Sequence, residues 1–349
     1  MSAQLPLITP PKGRQARMDS FSRKFARFIE DNDGFVGMDR FDSSDTVMFA
    51  RSLDEVRART YDVKYPELKR NILIPNSPIG NASETVTYRQ YDELGEAQAI
   101  HDYAKDFHNV DVKGAEFIRK VGAYGDSYQY SIQDLRAAKQ AGFALEAKKA
   151  MAARHAIERK LEKLCAVGDA AFGLLGLANH TNISVFTGTG QSMGGSDLNG
   201  AWDAPGTTIQ AILDDLNKAQ NKIYVDTKGI FQADTLVLPT AVYGALATRQ
   251  RSVTFTQDSV LQYILAQSPW LKSIEFWPYL DTAGTNSKAR GVLYKKDPEV
   301  LEQRVAVEFE QFAPQPIGMA MVIPCHARHG GVAVMYPKAV LALDGLQTA

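Results

Sequence analysis

A chain of 349 residues that is 45% hydrophobic with a net charge of -1 can bury about two domain-sized cores, and it has no global pull toward nucleic acid or an anionic membrane. That balance argues against dedicated DNA binding, and any contact with DNA is expected to be local or passive. Two cysteines far apart, Cys165 and Cys325, suit a reducing cytoplasm. There is no run of membrane-span length and no signal-peptide core, so a soluble protein made in the cytoplasm is expected.

Residues 1–84 carry weak periodicity. Lys12, Arg14, Arg17, Arg23, Lys24 and Arg27 face one acid, Asp19, after which Glu30, Asp31, Asp33, Asp39, Asp42 and Asp45 surround Arg40. The arm is therefore charge-split, with Phe21, Phe25 and Phe28 at helical spacing. Tyr65-Pro66 and the Ile74-Pro75-Asn76-Ser77-Pro78 run favour extended chain with no core of its own. Residues 85–130 read as a long β-ribbon: Thr85 to Tyr91 alternates, Ala97 to Tyr103 continues it, and the chain returns through Glu116 to Tyr130. A two-stranded ribbon is marginal in water by itself, so this one needs another surface, most simply on another subunit.

Ser131 with Asp134 forms a capping box opening a proline-free stretch to Leu164, with Gly142 its one glycine. Phe143, Ala147, Ala150, Ile157, Leu161 and Leu164 recur at three-and-four spacing. Lys148, Lys149, Glu158, Arg159, Glu162 and Lys163 lie elsewhere on the helix, with Arg154 and Glu158 spaced to pair. Such a helix reaches roughly 50 Å and must lie across sheets as a spine. Phe172 to His180, with its spaced glycines, predicts a tight turn under the helix end. After a Gly, Thr and Ser loop to Pro205, Thr207 or Thr208 caps a helix carrying Ile209, Ile212, Leu213, Leu216, Ala219 and Ile223. Asp234 to Pro239 reads as a buried strand, helices follow near Ala241–Thr248 and Ser259–Ala266, and strands at Ile274–Pro278 and Gly291–Lys295. Residues 205–313 thus form an α/β unit. The β-rich end from Ile317, with Gly331–Leu343, is expected to rejoin the first domain.

The motifs that carry chemistry elsewhere fail here. Gly190-Gln191-Ser192-Met193-Gly194 matches a nucleophile elbow, with a strand at Ile183–Phe186, but the Met-Gly-Gly-Ser-Asp-Leu-Asn-Gly that follows cannot make the helix such a serine needs. On a strand Cys325 and His329 share a face while His326 points away, and no fourth metal ligand is near. Asp214-Asp215 and the Glu308/Glu310 pair read as solvated faces. His101, His108, His155 and His180 have no catalytic partner.

Taken in order, these parts resemble the major capsid protein of tailed bacteriophages, with the Hong Kong 97-type fold shared by encapsulin nanocompartments. The resemblance rests on the arm, the extended loop, Tyr130-Ser131-Ile132-Gln133-Asp134-Leu135 opening the spine and the Gly176-Leu177-Ala178-Asn179 turn behind it. It rests also on the Asp234–Pro239 strand, Gly330-Gly331-Val332, Pro337 and Asp344-Gly345. It implies an α+β fold with the N-terminal arm at 1–84 and the extended loop at 85–130. A peripheral domain with the spine helix then spans 131–204 and 314–349, and an α/β axial domain 205–313. The implied function is self-assembly: hexamers and pentamers of one chain closing an icosahedral shell around double-stranded DNA, in the virion, assembled in the host cytoplasm. Portal, decoration or scaffolding proteins are the implied partners, with no membrane, catalytic residue, cofactor or metal; an arm this short leaves little room for a fused scaffold. Arg14, Arg17, Arg23 and Lys24 would face the DNA. Two alternatives stay open, an encapsulin-type compartment and a serine hydrolase using Ser192.

Overall fold

The computed structural model describes residues 64–95, 109–140, 145–187, 198, 200–250 and 259–347. The elements expected in residues 1–63, the continuation at Ala97–Tyr103, Gly142 and Phe143, and the Gly190–Gly194 motif lie outside them.

After a short turn of helix, α1 (Arg70–Leu73), and strand β1 (Asn76–Pro78), β2 (Thr85–Leu94) and β3 (Asp111–Lys120) form a two-stranded antiparallel ribbon, paired from Thr85↔Lys120 to Leu94↔Asp111. The return strand is shorter than expected. β4 (Gly122–Ser131) leaves the ribbon and pairs along β13 (Ala320–Val334), from Ala320↔Ser131 to His329↔Gly122. The reason is burial: Tyr124, Tyr128 and Tyr130 alternate onto one face of β4 and are buried, whereas the ribbon strands are almost wholly exposed. β11 (Leu301–Gln311), β12 (Gln315–Ile317) and β1 complete this first sheet, in the order β1-β11-β13-β12 with β4 also on β13.

The spine comprises α2 (Ile132–Gln140) and α3 (Leu145–Val167), with residues 141–144 outside the description. The expected capping box is present: Asp134 N donates to Ser131 Oγ at 3.0 Å and Ser131 N to the Asp134 carboxylate at 3.2 Å. Ala153, Ile157, Leu161 and Leu164 of α3 pack on Tyr124, Tyr128, Tyr130, Ile323, Cys325 and Ala327, so the helix does lie across the sheet. Its end is held by the short hairpin β5 (Gly168–Asp169) and β6 (Leu174–Leu175) and by the turn beyond it. Leu177 N donates to Cys165 O (2.8 Å), Ala178 N to Ala166 O (2.9 Å) and Asn179 Nδ2 to Val167 O (3.1 Å), which satisfies carbonyls a helix end otherwise leaves bare. Gly176 must be glycine, because a Cβ there would lie 2.5 Å from the backbone nitrogens of Val167 and Gly168.

A second sheet runs β7 (Ser184–Thr187), β14 (Val340–Asp344), β10 (Arg290–Tyr294), β8 (Thr235–Leu238), β9 (Ser273–Phe276). Its central strands β14, β10 and β8 are buried on both faces. Leu236, Leu238, Leu293, Leu341 and Leu343 point toward α4 (Ile209–Asp226), α5 (Thr240–Thr248) and α6 (Val260–Gln267), while Val237, Val292, Tyr294 and Val340 join a core with Cys165, Leu177 and Trp277. α4 starts at Thr208, whose Oγ1 accepts from Ala211 N at 3.2 Å, and buries Ile212, Leu213, Leu216, Ala219 and Ile223 as its spacing predicts. The pairing cuts across the boundaries read from sequence. β11, expected with 205–313, belongs to the first sheet, and β7 and β14, expected with the flanking ranges, belong to the second. Strand partners are set by contacts far apart in the chain, which local periodicity does not carry.

Candidate assembly surfaces

The ribbon stands on a fixed base. Val121 N donates to Glu84 O (2.8 Å), and Arg328 of β13 donates to the carbonyls of Asn81 and Ser83. One ribbon face turns to the body: Tyr88 stacks on Phe117 with ring centroids 5.0 Å apart, and the Arg304 guanidinium lies 5.1 Å from the Tyr88 ring. Beneath them a cleft of about 530 Å³ is shared with Phe231 and Tyr336. Through the register, the opposite face carries Tyr91, Val112 and Ile118, exposed at 65, 55 and 63%, around an Arg89–Glu116 ion pair of 2.7 Å. Among the described residues these apolar side chains alternate along one face and stay exposed, the pattern of a candidate contact surface.

A second such surface lies along the start of the spine. No residue of α2 is buried, and Ile132 and Leu135 are exposed. Leu135, Ala138, Leu145, Ala147 and Ala150 line an open groove against Tyr128.

The body also contains a buried polar hub that periodicity did not reveal. Glu162, placed by periodicity among the outward residues of the spine, is fully buried. Its carboxylate accepts from Lys69 N (2.7 Å), Arg70 N (3.1 Å) and Trp277 Nε1 (2.7 Å), and burial, outweighing these donors, raises its pKa. Arg70 Nη1 donates to Gln303 Oε1 (3.2 Å), Gln303 Nε2 to Asn71 Oδ1 (2.8 Å) and to Ile74 O (3.2 Å), and Tyr294 Oη to Leu73 O (2.7 Å). The run from Ile74 to Pro78, expected to be extended with no core of its own, leans on its own chain's interior, with Leu73 and Ile74 fully buried and β1 paired with β11. The signal available in sequence was weak: a glutamate one residue after Leu161 in a helix whose last turn is apolar on several sides.

The other singled-out residues have plain roles. Cys325 and His329 are buried and His326 is partly exposed, as the strand alternation predicts. His329 Nδ1 accepts from Gly331 N (2.9 Å), its Nε2 lies 3.6 Å from Cys165 Sγ, and burial holds its pKa down at about 3. Cys165 is pushed up to about 12 by burial, which leaves a thiol and no nucleophile. Asp215, expected on a solvated face, is buried and accepts from Trp202 Nε1 at 3.2 Å, while Asp214, Glu308 and Glu310 are exposed. His155 lies exposed on the spine and His180 lines the cleft, whereas His101, His108 and Ser192 lie outside the described residues. Among the described residues no three His, Cys, Asp or Glu side chains are grouped as a metal requires.

The family model described as "Major capsid protein" matches residues 95–346. No curated protein matches the sequence. Among solved structures, the capsid of Myoviridae phage XM1 aligns over 85% of this chain and 98% of its own, at 15% identity and a TM-score of 0.73. A Mycobacterium phage Adephagia chain aligns over 86 and 97%, at 13% identity and a TM-score of 0.59. The virus-like particle of Pyrococcus furiosus aligns over 78 and 91%, at 13% identity and a TM-score of 0.52.

Proposed function

The chain belongs to the major capsid proteins of tailed phages, a structural shell component of the virion that self-assembles through capsomers, and from that premise we propose how its parts divide the work. Hexamers and pentamers of this one chain close an icosahedral shell around double-stranded DNA, assembled in the host cytoplasm, with a portal and decoration or scaffolding proteins as partners. Of the arm read at 1–84, the part ahead of the built-in segment 69–84 ties adjacent subunits, its Arg14, Arg17, Arg23 and Lys24 turned to DNA. The extended loop covers a neighbour, the peripheral part built on the first sheet carries the spine, and the axial part built on the second sheet meets its copies at the capsomer centre. The observation that carries this reading is the ribbon: a two-stranded element with Tyr91, Val112 and Ile118 uncovered gains its burial only when copies meet.

The test is to replace residues 87–118 by a short turn, which spares β4 and the hydrogen-bonded base. Far-ultraviolet circular dichroism and thermal melting should report a folded body, and negative-stain microscopy should find shells for the parent chain and none for the deletion. Shells from the deleted chain would end the reading of the ribbon as an intersubunit clasp. Particles filled with a cargo protein and no nucleic acid would move the assignment to a nanocompartment, the reading the Pyrococcus likeness keeps open on fold alone.

A further inference from the structure

The cleft of about 530 Å³ beneath the ribbon is walled by aromatic rings from two parts of the chain. The ribbon supplies the stacked pair Tyr88 and Phe117, and the body supplies Phe231 and Tyr336, whose ring centroids lie 5.0 Å apart. Their own chain covers these rings only in part, leaving Phe117 39% and Tyr336 40% exposed. Cations stand among them. Arg119 enters from β3, Lys228 from the turn after α4 and Lys338 from the turn before β14, and among the described residues none of the three is held in an ion pair. The acids of the wall do not cancel them: Asp226 is taken by Lys222 (3.0 Å), which leaves Glu299 against three cations. Burial, and after it the Arg119 charge, lower the pKa of His180 in the same wall, so this imidazole adds no charge at neutral pH.

We propose that this cleft is a binding pocket for a small planar aromatic anion. Its volume falls within the roughly 300–1,000 Å³ of pockets that enclose one small organic molecule. Partly bare ring faces and edges favour an aromatic ligand through offset stacking. Uncompensated cations around an apolar gap favour a carboxylate, sulfonate or phosphate on that ligand and oppose an amine. Because the ribbon makes one wall and the body the other, an occupant also joins the two, fastening a two-stranded element that is hydrogen-bonded at its base. The pocket goes beyond the capsid reading and does not depend on it.

The probe is naphthalene-2-sulfonate, titrated by calorimetry into the full-length, unassembled subunit, with 2-naphthylmethylammonium as a cation of the same ring system. The sulfonate should saturate a single site per chain and bind about tenfold or more tightly than the ammonium. Arg119→Gln with Lys228→Gln should weaken the sulfonate about tenfold, and Lys338→Gln alone several-fold. Lys272→Gln with Lys288→Gln, a charge change equal to that of the first pair but outside the cleft, should leave its affinity unchanged, and circular dichroism of each variant should match the parent. Hydrogen exchange read by mass spectrometry should slow in β2 and β3 when the sulfonate binds the parent, and should not slow in the Arg119 and Lys228 double variant at the same probe concentration. No saturable site, an ammonium that binds as tightly as the sulfonate, or equal losses in the two double variants would overturn the proposal. So would loss of the sulfonate in Ile118→Ser, which would assign the binding to the outward face of the ribbon.

Discussion

Glu162 ties three parts of the interior together. It satisfies two backbone donors at the start of α1 and the indole of Trp277, joining the spine to the entering chain and to the second sheet. Glu162→Ala leaves three buried donors without a partner and should cost about 3–5 kcal/mol in urea denaturation, whereas Trp277→Phe, losing one of the bonds, should cost nearer 1–2. A loss below about 1 kcal/mol for Glu162→Ala would show the donors to be satisfied some other way. His329 gives the hub's neighbourhood a pH signature. The unfolded chain protonates it near the ordinary 6.5 and the folded one only at about 3, because burial, aided by the Arg70 charge, disfavours the imidazolium. In that window the unfolded state binds the extra proton, so acidification lowers stability by up to about 1.4 kcal/mol per pH unit until the folded value is passed. Burial moves Glu162 upward, and for a carboxyl that means the opposite sign: its contribution declines as pH rises from its ordinary 4.5 through its folded value. Comparing the parent with His329→Asn between pH 6.5 and 4.5 isolates the histidine, and the variant's stability should fall less with acid. Parallel curves would reject that assignment.

Between residues and the whole lie elements whose ends are set by local chemistry. The α3 terminus is closed by backbone bonds from the turn at Leu177 and Ala178, and the turn is tied to the second sheet where Arg290 donates to Ala178 O (2.6 Å) and to both oxygens of Asp344 (2.6 and 2.7 Å). Gly176 and Gly173 make a paired test of this closure. Gly176→Ala puts a methyl into the backbone of residues 166–168 and should destabilise by about 3 kcal/mol or more, at the upper end of overpacking costs. Gly173 has φ +66° and open space where a Cβ would go, so Gly173→Ala carries only left-handed strain, about 1–2 kcal/mol. If thermal melts rank them the other way, the turn is not what closes the helix. The cap at Ser131 was legible in sequence and the next was narrowed to Thr207 or Thr208, because a hydroxyl and an amide three residues away decide them, whereas the capping box at Ser259 emerged only in the structure.

On the proposed reading, folding and assembly draw on separate apolar surfaces. The three hydrophobic clusters account for the body, and Tyr91, Val112 and Ile118 belong to none of them. Val112→Asp with Ile118→Asp should therefore shift subunit stability by no more than about 0.5 kcal/mol while abolishing shells in electron micrographs. A large loss of subunit stability would mean that the ribbon face is covered within its own chain.

The sequence by itself determined the order of parts: ribbon, capped spine, glycine turn, α/β unit and returning strands, each written in features a few residues apart. It also carried the resemblance that the family match bears out. Tertiary structure alone decided which strands share a sheet, where the ribbon ends and which polar groups go inside. Glu162, Asp215 and His329 are buried because their partners, at Lys69, Arg70 and Trp277, at Trp202, and at Gly331 and Cys165, converge on them, mostly from distant elements. Burying a charged or polar group is tolerable only where such partners meet it, and neither periodicity nor composition records that meeting.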